Sequence, residues 1–199
     1  MGYSVQLVIG KDPAIGRFLK AWPGSRAVPL KDDWLAIPLD GALYEAIQAT
    51  APDAAQPEGL DVSPPGLEAA LIAATKAGGG LAYVETDYFG GAGAQSAEAY
   101  VDGEEAVEAR RSRGAGGPIN SALRAIGVIK AESMDEFDTI GLSERRSMSD
   151  YEPEGPVRLR SPVAAPEPDD RRAPKHLPAW AIILVIVCCI ALGWSLAQG

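Results

Sequence analysis

The sequence has very few of the residues on which most catalytic and metal sites depend. It contains two cysteines, Cys188 and Cys189, and one histidine, His176, all of them after residue 142. Residues 1–142 therefore carry no disulfide framework and no metal site built from cysteine or histidine. The same absence excludes Ser-His-Asp and Cys-His catalysis by this part of the chain acting alone.

Positive charge is also scarce in the first 142 residues. They hold 11 Lys and Arg against 20 Asp and Glu, which accounts for the whole formal charge of -9. An acidic surface repels the phosphate backbone of DNA and RNA, so we expect no nucleic-acid partner. A domain of this size buries about two-thirds of its unfolded surface, which is enough for an independent core.

One segment lacks charge altogether. Residues 179–197 read AWAIILVIVCCIALGWSLA, with Trp180 and Trp194 near the two ends. A helix of this length covers about 28 Å, close to the hydrocarbon thickness of about 30 Å, and it has no polar face. Indole rings favour the interface between hydrocarbon and head groups. The run therefore predicts one transmembrane helix in a lipid bilayer.

The charges beside this run predict its orientation. Arg171, Arg172 and Lys175 precede it, whereas only Gln198 and Gly199 follow it. Positive residues stay on the cytoplasmic side of a membrane. We therefore expect a tail-anchored, single-pass protein of the inner membrane with its amino-terminal domain in the cytosol.

Small residues recur at a spacing of four within the predicted span, as Ala191 with Ser195 and Gly193 with Ala197. Such pairs let two helices approach closely, which suggests a homodimer through the transmembrane helix. The alternative is that small residues are simply common in an alanine-rich chain.

Prolines separate the acidic part of the chain from the predicted span. Seven of them lie among mixed charges between Ser143 and Pro178. Proline disrupts both helices and strand ladders, and little apolar material is present to offset the entropy of ordering. The sequence therefore predicts a globular domain at 1–142, a disordered linker at 143–178 and a transmembrane helix at 179–197.

Alternating apolar residues predict several strands in the domain. They cover residues 3–9, 34–38, 81–89, 95–101 and 106–109. Asp102-Gly103 is typical of a tight hairpin turn between the last two. Because the best strands are joined by turns, we expect an antiparallel meander and an α+β fold.

Start and stop signals predict short helices that flank this meander. Asp40 is expected to cap one helix, and Pro64-Pro65 and Pro118 to open two more. Ser133 and Glu136 match a capping box ahead of a further turn of helix. The fold class predicted from the sequence is thus an α+β domain with a small antiparallel meander and flanking short helices.

Two carboxylates form the first candidate site. Glu85 and Asp87 share one face of a predicted strand with Tyr83 and Phe89, because side chains alternate along a strand. With Glu98 across the hairpin they are positioned to share a proton or to hold a divalent metal. A solvated strand face is the alternative, and the acidity of the domain favours it. If the two aromatic rings are buried, the carboxylates need partners.

Two glycine clusters come next. Gly90-Gly91-Ala92-Gly93 lacks the Lys-Ser/Thr ending of a phosphate loop and predicts a hairpin turn. Arg110, Arg111 and Arg113 stand ahead of a second cluster at 114–117 and of a predicted helix. They form a candidate loop for an anion or an acidic partner, the alternative being a basic loop without a ligand.

Three segments carry a resemblance to a known family. VETDYFGGAGAQSAEAYVDG, GPINSALRAIGV and DEFDTIGLSERR resemble motifs of a family of small, uncharacterised bacterial cytosolic proteins, over about residues 3–146. The resemblance implies a bacterial cytosolic protein and supplies no catalytic residues. Small acidic α+β domains are similar in general character to immunity or adaptor proteins.

These observations predict a tail-anchored membrane protein that presents a cytosolic protein-binding domain, in an adaptor or immunity-like role. We expect no cofactor and no bound metal. The alternative is a carboxylate-based hydrolase or metal-dependent enzyme that uses Glu85, Asp87 and Glu98. That alternative requires the three carboxylates to meet in one pocket.

Overall fold

The computed structural model describes residues 2–89, 92–113 and 117–152, which form a six-stranded antiparallel sheet flanked by short helices. The strands are β1 (Tyr3–Gly10), β2 (Val28–Pro29), β3 (Leu35–Pro38), β4 (Gly80–Phe89), β5 (Ala92–Val101) and β6 (Glu104–Ser112). The helices are α1 (Ala14–Ala21), α2 (Gly41–Gln48), α3 (Leu67–Thr75), α4 (Pro118–Ala125) and α5 (Glu136–Thr139). The α+β class is confirmed.

The strand order is β2-β3-β1-β4-β5-β6, and every neighbouring pair is antiparallel. Strands β4, β5 and β6 form the predicted meander. Strand β1 lies between β3 and β4 and pairs with β4 along its whole length, from Tyr3 opposite Tyr88 to Gly10 opposite Leu81. The amino-terminal strand is therefore central to the sheet.

Both predicted hairpins are present. Phe89 pairs with Ala92, and the connecting Gly90 and Gly91 lie outside the described residues. At the next turn, Asp102 and Gly103 have φ of 54° and 85°. Two successive left-handed residues match the right-handed twist of the flanking strands, which is why Asp-Gly is favoured at this position.

The sheet has an apolar core on each face. The front face carries Val8, Leu81, Tyr83 and Tyr100, which pack with the buried sides of α1, α2 and α3. The rear face packs against α4 and against residues that follow α5, such as Ile140 and Leu142. Alternation along the strands assigns neighbouring residues to opposite faces, so both faces are buried.

Capping residues explain where the helices begin. Oδ1 of Asp40 accepts a hydrogen bond from the amide of Leu43 at 2.9 Å, as expected for the residue before α2. Pro118 is the first residue of α4. The predicted capping box at Ser133 is wrong, because Asp135 caps α5 instead by accepting a bond from the amide of Asp138. Helix α1 is not predicted by the sequence pattern.

The folded domain continues past the predicted boundary at residue 142. Residues 142–144 and 148–151 form short 3-10 turns, and Tyr151 is fully buried in the rear core. The amide of Ser4 donates to the carbonyl of Arg146 at 2.9 Å. The first part of the predicted linker therefore belongs to the folded domain, because Met148 and Tyr151 supply apolar surface that packs in the rear core.

The remaining predictions for the end of the chain lie outside the described residues. They are the linker from residue 153, the span at 179–197, the interface residues Arg171, Arg172, Lys175, Trp180 and Trp194, and the small-residue pairs. Across residues 2–89, 92–113 and 117–152, no helix has both the length and the apolar character needed to cross a membrane.

Tyr151→Ala tests whether the segment after residue 142 belongs to the fold. Removing a fully buried aromatic ring costs about 3 to 5 kcal/mol of stability. Glu152→Ala, at the exposed next residue, is the matched control and is expected to change stability by less than about 0.5 kcal/mol. Urea unfolding of the full chain in detergent micelles measures both. Equal stability of the two variants would contradict the assignment.

Candidate functional site

Residues 56–63 cross the front face of the sheet, and we call this segment the strap. Leu60 is buried in the front core, and Nε2 of Gln56 donates to the carbonyl of Ser63 at 2.8 Å. Gly59 has φ of +83°, and a Cβ there would lie 2.5 Å from the carbonyl oxygen of Ala109 in β6. Only glycine allows both that φ and that approach.

The carboxylate of Glu85 holds the strap in place. Glu85 is 3% exposed, and its two oxygens accept hydrogen bonds from the amides of Asp61 and Val62, the second at 3.0 Å. The hydroxyl of Tyr83 donates to Oε2 of Glu85 at 3.1 Å. Burial and the Glu85 charge both raise the pKa of Tyr83, so its hydroxyl stays protonated and able to donate. Glu85 is therefore a structural anchor.

Asp87 differs from Glu85 although both lie on the same face of β4. Its side chain is exposed. The two carboxylates line one small cavity of about 140 Å³ together with Asp61 and with Ser96, the residue opposite Glu85 in β5. One member of the predicted pair is thus buried and bonded by the strap, and the other faces water.

Glu98 lies on β5 directly opposite Tyr83 and is 3% exposed. Its Oε2 accepts a hydrogen bond from the hydroxyl of Tyr100 at 3.1 Å. Its Oε1 is buried and has no hydrogen-bond partner among the described residues. A buried carboxylate oxygen without a donor is uncommon in folded proteins and calls for a physical explanation.

The surroundings of Glu98 disfavour its charged form. Burial raises the pKa of Glu98 from 4.5 to about 7. The hydrogen bond from Tyr100 opposes the rise, whereas the charges of Glu68, Glu105 and Glu85 add to it. A carboxyl with a pKa near neutrality changes its proton occupancy under physiological conditions.

The ladder between β5 and β6 is irregular at Glu98. Ala97 pairs with Arg110, Ala99 with Val107 and Tyr100 with Glu105, so the register shifts on both sides of Ala99 and each shift leaves an extra residue on β6. Bulges of this kind bend a strand and redirect its side chains, and they are common beside functional sites. Strand β6 is therefore bent where it passes Glu98.

A cavity of about 900 Å³ opens along this bent strand, and we call it the acidic groove. Its walls come from the strap, α3, β5, β6 and the start of α4. Its charged and apolar lining includes Glu58, Glu68, Glu98, Glu105, Glu108, Arg110, Arg111, Tyr100 and Val107. Five glutamates and two arginines thus line one cavity.

The three candidate arginines do not form the predicted loop. Arg110 and Arg111 belong to β6, where they pair with Ala97 and Ser96. Pairing with β5 extends β6 as far as Ser112, and it holds Arg110 and Arg111 in an extended conformation. Arg111 pairs with Asp61 of the strap at 3.0 Å, and Arg113 lines a separate cavity that also includes Asp87.

The three carboxylates of the enzyme alternative do not line one common cavity. Glu85 and Asp87 line the small cavity of about 140 Å³, whereas Glu98 lines the acidic groove. Within the described residues, no group of three or more His, Cys, Asp or Glu side chains is arranged to hold a metal ion. The hairpin places Glu98 on the same face as Glu85, diagonally across β4 and β5, but the two residues line different cavities.

The segments that carry the family resemblance meet on the rear side of the hairpin. Tyr88, Gln95, Asn120 and Phe137 line a cavity of about 300 Å³. Asn120 joins α4 to α5, since its Nδ2 donates to Oδ2 of Asp135 at 2.9 Å and its Oδ1 accepts from the amide of Phe137 at 3.0 Å. These motif residues therefore connect α4 and α5 beside the sheet.

Most residues that line the acidic groove were not predicted from the sequence. Glu58, Glu68, Glu105 and Glu108 come from the strap, α3 and β6, and no spacing along the chain relates them. Only the acidic composition of the domain indicated an acidic surface. The bulges that bring Glu105 and Glu108 beside Glu98 leave no signature in the alternation pattern.

Comparisons with protein-family models, curated protein sequences and solved structures gave no match to this chain. The family resemblance therefore stays a prediction. The function has to be argued from the geometry and charge of the described residues.

Glu85→Gln tests the strap anchor. The glutamine places an NH2 group against a backbone N–H, so one amide of the strap loses its acceptor, at a cost of about 2 to 4 kcal/mol. Asp87→Asn, an exposed position on the same face of β4, is the matched control and should change stability by less than about 0.5 kcal/mol. Hydrogen exchange at Asp61 and Val62 should accelerate only in Glu85→Gln. Unchanged exchange at both amides would rule out the anchor.

Glu98→Gln tests the electrostatic cost of the unpaired oxygen. Because the pKa of Glu98 is higher in the folded state, the contribution of Glu98 to stability should be complete below about pH 4.5 and be lost as pH rises to about 7. This one group accounts for a loss on the order of 3 kcal/mol. Glutamine does not titrate, so the variant should lack that part of the decline, while Glu104→Gln keeps it. Urea unfolding at pH 5 and pH 8 decides; parallel declines in wild type and Glu98→Gln would refute the effect.

Proposed function

We propose that this chain is a membrane-tethered protein-binding domain whose acidic groove takes a basic segment of a partner protein, in an adaptor or immunity-like role. The observation that supports this is the presence of five glutamates in the lining of one cavity of about 900 Å³. A groove of this size is large enough for several side chains of an extended segment.

The balance of charge in the groove favours a basic partner. Two arginines, Arg110 and Arg111, accompany the glutamates, and Arg111 is already paired with Asp61. The domain as a whole carries excess negative charge, since residues 1–142 hold 20 acidic against 11 basic residues. Complementary charge accelerates encounter and suppresses partners of the wrong sign.

The shape of β6 favours binding through side chains over addition of a strand. As the last strand of the sheet, β6 exposes Glu104, Glu105, Glu108 and Arg110. Charged residues and bulges on an edge strand are devices that prevent pairing with other strands. The same bulges widen the ladder near Glu98, so the edge supports a groove.

The tether belongs to the same proposal. The uncharged run at 179–197 would span the membrane, with Arg171, Arg172 and Lys175 on the cytosolic side. The inner leaflet is negatively charged and concentrates basic segments near its surface. An acidic groove held beside that leaflet would meet such segments at high local concentration.

The enzyme alternative has weaker support. It relies on Glu85, Asp87 and Glu98 acting together, and these side chains line two different cavities. Glu85 also uses both of its oxygens to hold the strap and Tyr83. Three accepted hydrogen bonds leave Glu85 little remaining capacity for a substrate or a metal.

Binding of defined peptides to the full chain in detergent micelles tests the proposal. We expect an extended nonapeptide with lysines at alternate positions to bind, and its glutamate counterpart of equal length not to bind. The double variant Glu105→Lys, Glu108→Lys should weaken binding at least about tenfold, since two like charges then face the peptide. Isothermal titration calorimetry gives the affinities.

Two exposed carboxylates outside the groove provide the matched control. Glu45→Lys, Glu132→Lys makes the same change in net charge and should leave affinity within about twofold. Equal loss in both double variants would show attraction to net charge only. Equal binding of the basic and acidic peptides would overturn the proposed function.

A further inference from the structure

Glu98 lines the acidic groove, and one of its two carboxylate oxygens is buried without a partner among the described residues. Glu98 is 3% exposed. Its Oε2 accepts a hydrogen bond from the hydroxyl of Tyr100, whereas its Oε1 has no partner in the described part of the chain. A buried acceptor without a hydrogen bond costs free energy, and a donor that binds to it recovers that free energy. One strong donor is therefore missing at a defined atom.

We propose that Oε1 of Glu98 binds one primary ammonium group, carried by a lysine side chain of the partner segment. This proposal rests on the proposed function, because it names the group that the acidic groove selects. An ammonium is a compact point charge that one oxygen can hold, whereas a guanidinium is best matched by both oxygens of a carboxylate. Tyr100 already uses one lone pair of Oε2, so lysine, which needs only Oε1, fits this position better than arginine.

The lining of the groove suits a long aliphatic stem with a charged end. Tyr100 and Val107 line the groove together with Glu98 and offer apolar surface for the stem. Glu68 and Glu105, both exposed, line the same cavity and add negative charge around the ammonium. Their long side chains can rotate to admit the lysine.

Three neighbouring carboxylates raise the pKa of Glu98, and the hydrogen bond from Tyr100 lowers it. Tyr100 is on its own strand, Tyr83 and Glu85 face it from β4, Glu68 from α3 and Glu105 from β6. Burial and these negative charges raise its pKa to about 7, so the empty groove holds a proton on Glu98 in mild acid. The ammonium must displace that proton. Affinity should therefore rise with pH up to about 8 and then level off.

Peptide titrations of the full chain test the proposal. The probe is the basic nonapeptide with lysine, norleucine or arginine at its central position, measured from pH 5.5 to 8.5. At pH 8 we expect norleucine to weaken binding by about thirtyfold or more, and arginine by less than norleucine but measurably. Glu98→Gln keeps the acceptor for Tyr100 and should produce the same loss for the lysine peptide.

The two losses should not add, because both remove one contact. In Glu98→Gln most of the preference for lysine over norleucine should disappear, and the pH dependence of the lysine peptide should flatten. Glu104→Gln, an exposed carboxylate outside the groove lining, is the matched control and should retain the wild-type preference. Additive losses, or equal binding of lysine and norleucine in wild type, would overturn the ammonium site while leaving the proposed function intact.

A small amine separates failure of this inference from failure of the proposed function. The carboxyl carbon resonance of Glu98 is followed by NMR through a pH titration, with n-butylammonium or with n-butanol. A lower titration midpoint with n-butylammonium supports the ammonium site even if no peptide binds, in which case only the proposed function fails. An identical midpoint with both compounds overturns the site.

Discussion

The hydrogen bonds that Glu85 accepts from Asp61 and Val62 determine the rest of the front face. A buried carboxylate is unfavourable unless donors satisfy it, and a loop that crosses a sheet has backbone amides with no ladder to join. The strap amides satisfy the buried carboxylate of Glu85, and this carboxylate gives those amides their acceptors. These bonds hold the strap against the sheet, so that Leu60 packs in the front core and Gly59 lies against β6. The strap thereby forms one wall of the acidic groove.

Glu98 has the same chemistry as Glu85 and a different environment. Each glutamate accepts a bond from a tyrosine two residues away on its own strand, Tyr83 for Glu85 and Tyr100 for Glu98. The amides of the strap reach Glu85 but not Glu98, so one carboxylate is complete and the other keeps an unpaired oxygen. The strap, more than twenty residues from Glu85 in sequence, therefore makes Glu85 a structural carboxylate and leaves Glu98 with an available oxygen.

What the sequence predicted was local. The Asp102-Gly103 turn, the Asp40 cap, Pro118 at the start of α4 and the shared face of Glu85 and Asp87 depend on neighbouring residues and follow from short-range rules. Its failures were non-local. The insertion of β1 between β3 and β4, the strap that buries Glu85 and the packing of Tyr151 on the rear core are contacts between distant segments, and no spacing in the chain encodes them. Arg110 and Arg111 were misread for the same reason, since pairing with β5 decides that they are strand.

Natural sequences are largely consistent from local pattern to packing, and departures from consistency tend to mark function. Three departures coincide at Glu98: an unpaired buried oxygen, two shifts of register in the facing strand, and a surface where like charges converge. None of them helps the domain to fold, because each removes a hydrogen bond or adds repulsion. A cationic group brought by a partner relieves the unpaired oxygen and the repulsion together, and this joint relief is the physical argument for recognition at the acidic groove.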